Sequence, residues 1–153
     1  MKILVSACLL GENCKYSGGN NYNQAVCDFA RGHQVVPVCP EVLGGLPTPR
    51  CPAEIVQGVV TNKEGINVDR EFRAGAAKAL AIAKENGVEL GILQSRSPSC
   101  GVKEIYDGTF SGTRIPGQGV FAKMLMDEGI RVLDAGELPE IILKNEDGKC
   151  QSN

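Results

Sequence analysis

The sequence predicts a single-domain α/β fold of Rossmann-like form: a mainly parallel sheet with helices on both faces and a small appended hairpin. Two observations predict it. Short apolar runs alternate with stretches of helical periodicity along the chain, the pattern of strands joined by crossover helices. No internal repeat or break in composition divides the 153 residues, so residues 1–145 read as one domain and 146–153 as a polar tail.

Ile3-Leu4-Val5 is the first apolar run, and Asn23 to Arg31 reads as a helix with Ala25, Val26 and Phe29 on one face. Val35 to Val38 is a second strand. Its Pro37 lacks the amide a central ladder uses, so this strand is expected to be irregular or paired on one side. Gly44 to Pro52 is rich in Gly and Pro and reads as a loop. Val59-Val60-Thr61 and Ile66-Asn67-Val68 flank Asn62-Lys63-Glu64-Gly65, which predicts a hairpin. Asp69 is the expected N-cap of a helix from Arg70 to Asn86 that Gly87 closes, with Phe72, Ala76, Leu80 and Ala83 facing the core. Leu90 to Leu93 forms the third strand and Gly117 to Glu128 the next helix, with Val120, Phe121, Met124 and Leu125 on its apolar stripe. Ile130 to Leu133 is the fourth strand, and Leu138 to Lys144 is read as a short final helix.

Composition narrows the function classes. Sixteen basic and 18 acidic residues give a net charge of −2, with Lys and Arg scattered, so nucleic acid is not the expected partner. Seven cysteines at irregular spacing do not resemble a secreted disulfide scaffold, and reduced thiols in a cytoplasmic protein are expected. Val5-Ser6-Ala7-Cys8 resembles a lipoprotein box, yet only seven residues precede Cys8, fewer than the about 15–30 of a signal peptide. No apolar run reaches membrane-spanning length.

Three cysteines each sit where a predicted strand meets a turn: Cys8 in Ser-Ala-Cys-Leu-Leu-Gly, Cys39 in Cys-Pro-Glu, and Cys100 in Ser-Pro-Ser-Cys-Gly. Right-handed crossovers put all such turns on one edge of a parallel sheet, where ligands bind. Converging thiols imply a metal or a cluster. Structural zinc usually shows paired ligands such as Cys-x-x-Cys, absent here, and the lone His33 reads as a surface histidine. A cubane iron–sulfur cluster on three cysteines would keep one iron open, a soft Lewis acid suited to sulfur. Three isolated thiols are also compatible with unrelated core or reactive cysteines. Cys14 and Cys51, in loops near Cys8 and Cys39, are substitute ligands or nearby reactive thiols; Cys27 reads as a buried helix residue and Cys150 as part of the tail. Glu41 can move protons, and the Ser97 hydroxyl can donate to or accept from a ligand, although both residue types more often cap turns. Arg50 and Arg96 are candidates to hold an anionic or carbonyl-bearing substrate.

Ser6 to Gly11, Cys39 to Arg50 and Ser97 to Gly101, with the stretch Ile105 to Gly119, together resemble the bacterial thiouracil desulfidase family over roughly Met1 to Leu133. The resemblance implies a 4Fe-4S cluster on Cys8, Cys39 and Cys100, with the fourth iron free to take a substrate sulfur. It also implies that Glu41 and Ser97 carry acid-base chemistry, and that a thiolated heterocycle, a thiouracil-like pyrimidine, loses its sulfur as hydrogen sulfide. Cys51 is a departure from the family's loop. A non-catalytic iron–sulfur or sulfur-binding module is the alternative that the same residues allow.

Overall fold

The computed structural model describes residues 1–138. Its centre is an all-parallel four-stranded sheet of β1 (Lys2–Ser6), β2 (Gln34–Val38), β5 (Leu90–Leu93) and β8 (Arg131–Asp134), in the order β2-β1-β5-β8. β1 and β5 are continuous apolar runs because each is covered on both faces. Side chains alternate across the sheet. Leu4 joins Phe72, Ala76, Phe121 and Leu125 on one face, whereas Ile3 and Val5 join Val26, Ala30 and Ile92 on the other. The first face is covered by α3 (Asp69–Glu85) and α4 (Val120–Asp127), the second by α1 (Gln24–Ala30), which Asn23 caps by accepting from the Val26 amide at 3.1 Å. β2 lies at the edge and pairs only with β1, Val5 opposite Pro37, as its proline requires.

α2 (Pro40–Leu43) is one turn begun by a proline just inside its start, and it lies against α3 at a pair of glycines. An added Cβ at Gly75 would collide with the Pro40 carbonyl, and one at Gly44 with the Glu71 carbonyl. Backbone therefore meets backbone, and α2 is held at one fixed distance from the long helix.

Four expectations need correction. The hairpin pairs β3 (Ala53–Val56) with β4 (Val59–Asn62) around Gln57-Gly58, both at positive φ as a two-residue primed turn demands. Residues 66–68 contribute only a bridge between Asn67 and Thr61, because the Asn62 side chain accepts from the Glu64 and Ile66 amides and curls that segment into a turn. Asp69 is not the N-cap: it is the first residue of α3, and its carboxylate binds the Val60 amide at 3.0 Å and Arg73 at 2.7 Å, tying the helix to β4. A second hairpin, β6 (Glu104–Tyr106) with β7 (Arg114–Pro116), was not expected at all. α4 begins at Val120 rather than Gly117, since the preceding turn packs where Gly119 has no room for a side chain. The expected helix beyond Leu138 and the tail with Cys150 lie outside the described residues.

Candidate active site

Three of the parallel strands deliver a cysteine at their carboxyl ends. β1 runs into a 3-10 turn, Ala7–Leu10, that carries Cys8; β2 ends at Cys39, the residue before α2; β5 leads into the turn that holds Cys100. The chain crosses from β1 to β2 on one side, and β5 flanks β1 on the other, so these ends meet at a topological switch point. All three cysteines line one cavity of about 440 Å³, together with Glu41 and Ser97.

Within this cavity the charges of the groups bear on one another. Burial pushes the Cys8 thiol up first; a hydrogen bond from Asn21 at 3.4 Å opposes it, and the charges of Cys39 and Glu41 add to it. Burial likewise raises Cys100, partly offset by a bond to Ser6, with Glu41, Cys8 and Cys39 raising it further. Cys14 is pushed up to about 12, by burial and then by Cys39 and Cys8. Cys8, Cys14 and Cys100 thus stand in a pocket where ionisation is opposed by desolvation and by neighbouring thiols. Such a site is completed by a sulfur-seeking cationic group, which reverses that balance.

Among the described residues, no group of three or more His, Cys, Asp or Glu side chains is gathered tightly enough to hold one metal ion. Thiols on one tetrahedral zinc sit roughly 4 Å apart, given bonds near 2.3 Å. A cubane takes its ligands on separate irons and accepts a wider set. The donor chemistry fits the cluster better than a single ion. His33 is elsewhere, its ring near the amino terminus and tilted against Phe29.

Glu41 sits in the first turn of α2 with its Oε2 2.8 Å from Arg50. The Arg50 side chain is only 6 % exposed and also donates to the Cys14 and Pro47 carbonyls and to Thr48 Oγ1. Arg50 is therefore a clamp between loops rather than a free substrate-binding cation. Its reach across to Cys14 aligns Glu41 with the cysteine loop, and Cys39 Sγ donates to the same Cys14 carbonyl at 3.7 Å. Arg96, at a φ of 63°, lines the cavity with no side-chain partner among the described residues. Ser97 Oγ accepts from the Ser99 and Cys100 amides at 3.0 and 2.9 Å. With those two bonds its lone pairs are used, and its proton remains to be donated. The same turn supplies the Pro98 and Ser99 carbonyls to the first amides of α4, which locks Cys100 to that helix.

The other cysteines separate. Cys27 Sγ lies against the Leu9 carbonyl at 3.8 Å on α1, half-buried rather than in the core. Cys51 lines the cavity, but its thiol is raised by burial and then by Glu64, not by the other cysteines. Sequence reasoning missed Asn21, Ser6, Glu54, Tyr106 and Phe110, all cavity residues. Only Glu54 left a signal, a carboxylate between apolar neighbours.

The description 2-thiouracil desulfurase matches residues 3–137. The chain belongs to the 2-thiouracil desulfurase family. It is 41% identical over 150 residues to the uncharacterized protein YbbK of Bacillus subtilis (strain 168), covering 92% of this chain and 99% of that protein. A solved structure, the 4Fe-4S-dependent thiouracil desulfidase TudS, is 40% identical and superposes with a TM-score of 0.84 over 95% of this chain and 97% of that one. The mainly parallel α/β architecture is thus shared with an enzyme, and the desulfurase family's stretch extends through the β6–β7 hairpin that lines the cavity. Among the described residues no helix is long and apolar enough to cross a membrane.

Proposed function

We propose that this protein removes sulfur from a thiolated pyrimidine of the thiouracil type, hydrolytically and with release of hydrogen sulfide, using a 4Fe-4S cluster held by Cys8, Cys39 and Cys100. The observation that carries the reading is the convergence of three strand-end thiols and a carboxylate in one cavity. The neighbour named as 4Fe-4S-dependent supports it. When bound, the cluster supplies an open, sulfur-seeking Lewis acid.

The chain's own residues supply the rest. Arg50 occupies Oε2 of Glu41, while Oε1 has no partner among the described residues and is free to take a proton from water at the thiocarbonyl carbon. Ser97 donates its hydroxyl proton, because both of its acceptor positions are taken. Thiocarbonyl plus water gives carbonyl plus hydrogen sulfide, so no external electron donor is needed.

A sulfur-binding module without catalysis is the competing reading, and the structural bonds of Glu41 and Ser97 are what favour it. Anaerobic iron and sulfide quantification, followed by sulfide release across a panel of thiolated pyrimidines, tests the proposal. Full iron with release from a thiouracil supports it; full iron with no release from any of them leaves the binding module.

A further inference from the structure

Glu54 lies on β3, nowhere near the cysteines in sequence, and is only 9 % exposed. A buried carboxylate ordinarily has a cation or a full set of donors. Glu54 has no ion-pair partner among the described residues. Its Oε1 accepts from the Gly108 amide at 2.9 Å and the Phe110 amide at 3.1 Å, while no donor among the described residues reaches Oε2. Oε2 is not sealed off, since the buried side-chain atoms without a partner among the described residues are Arg50 Nε and Ser99 Oγ; it stays open to the cavity that Glu54 lines, where an arriving donor can reach it.

What Oε2 can face is set by the loop that Oε1 holds. Gly108, at a φ of 94°, has its backbone pressed on β3, where an added Cβ would sit 2.7 Å from the Ile55 carbonyl. Asp107 ties the loop internally, accepting from the Thr109 amide and hydroxyl. Glu54, Tyr106 and Phe110 consequently line the same cavity as Cys8, Cys39 and Cys100, and Arg96, without a side-chain partner among the described residues, lines it too. A thiouracil-type ring is flat, carries N–H groups beside its thiocarbonyl, and has a carbonyl oxygen further round. Aromatic faces pack against such a ring, an arginine donates to its carbonyl, and a carboxylate accepts its N–H.

We propose that Glu54 is a specificity-determining residue: its Oε2 accepts a ring N–H of the thiopyrimidine while its Oε1 holds the Phe110 loop in place. The proposal rests on the desulfidase reading above. A site built to bond a substrate N–H rejects an analogue that lacks it much more strongly than an apolar pocket rejects a methyl, since the buried acceptor is then left unpaired.

The test uses anaerobically reconstituted full-length protein with 2-thiouracil, its 1-methyl and its 3-methyl derivatives. Wild type is expected to disfavour one of the two methyl derivatives by about 100-fold or more in kcat/KM. In Glu54→Gln the loop amides claim the side-chain oxygen, so an NH2 group faces the ring. That variant should raise KM for 2-thiouracil by about tenfold and lose the discrimination between parent and methyl derivative, with iron content and melting temperature unchanged. A residue that merely held the loop would not move the discrimination ratio. An unchanged ratio in Glu54→Gln, or equal use of all three substrates by wild type, overturns the proposal while leaving the desulfidase reading standing. Iron-loaded wild type that releases sulfide from none of the three overturns both. Should Glu54→Gln fail to fold, Glu54→Asp, with the carboxylate withdrawn by one methylene, is expected to show the same shrinkage of the ratio, and an unchanged ratio there overturns the proposal equally.

Discussion

At the scale of single residues, Glu41 and Arg50 form the ion pair on which the proposed chemistry turns. The two terminal nitrogens of Arg50 donate to Glu41 and to three carbonyl or hydroxyl oxygens, while its Nε is buried without a partner among the described residues, so its charge serves to orient one carboxylate. Glu41→Gln keeps a bond to Arg50 through the amide oxygen but cannot take a proton. The variant is expected to retain its iron and to lose turnover by about 100-fold or more. Unchanged sulfide release from a fully loaded Glu41→Gln protein would sink the catalytic role and return the site to a sulfur-binding module. Ser97→Ala is expected to act differently. It removes the acceptor for two amides beside Cys100, so it should lower stability by about 1–3 kcal/mol as well as slow turnover, and denaturant unfolding of the metal-free chain reads the first effect separately from the second.

At the scale of elements, the position of the second cysteine depends on how closely α2 approaches α3. Gly75 and Gly44 let carbonyl oxygens of the facing helix fill the space a side chain would need. Gly75→Ala gains helix propensity locally yet must push α2 outward, and it is expected to cost about 1–3 kcal/mol and to lower iron retention, because Cys39 and Glu41 ride on the displaced turn. Iron content equal to wild type in a destabilised Gly75→Ala protein would show that the cysteine loop absorbs the shift. Asp69 joins the hairpin to α3 in a pH-dependent way. Burial opposes its ionisation, but Arg73 and the Val60 amide outweigh burial and hold the carboxyl below its ordinary value. A depressed group contributes stability that is fully present above its unfolded value and is lost as pH falls through the folded one. Asp69→Asn should therefore be less stable than wild type at neutral pH by about 1 kcal/mol, and the difference should close in strong acid; a gap that persists there would mean the effect is not one of charge.

At the scale of the whole molecule, what was legible in the sequence follows from how much each element depends on distant partners. β1 and β5 are buried on both faces, so their apolar runs announce themselves, and cysteines that follow such strands can be placed on one edge by topology alone. β7 is three exposed residues ending in proline, and β3 carries a buried glutamate; neither resembles a strand until its hairpin partner is in place. The turn at Gln57 lacks the asparagine or glycine that marks a positive φ at its first position. Glu54 joins the cavity through bonds to residues more than fifty positions away, which no local pattern encodes. The same topology makes a prediction about stability. Cys8, Cys39 and Cys100 follow β1, β2 and β5, so a group bound to all three ties three neighbouring strands of the sheet together and binds only the folded chain. Ligand at about 100 times its dissociation constant adds about 2.7 kcal/mol, and for a chain of this size each kcal/mol raises Tm by about 2–4 °C. Anaerobic iron–sulfur reconstitution should therefore raise the melting temperature by about 5–10 °C. Cys27→Ala and Cys51→Ala should keep that rise, since Cys27 sits on α1 against the Leu9 carbonyl and the Cys51 thiol is raised by burial and Glu64 rather than by the other cysteines. Cys8→Ala, Cys39→Ala and Cys100→Ala should each abolish it, and a Cys39→Ala protein that still gains the full increment and full iron would transfer the second ligand position to Cys14 or Cys51.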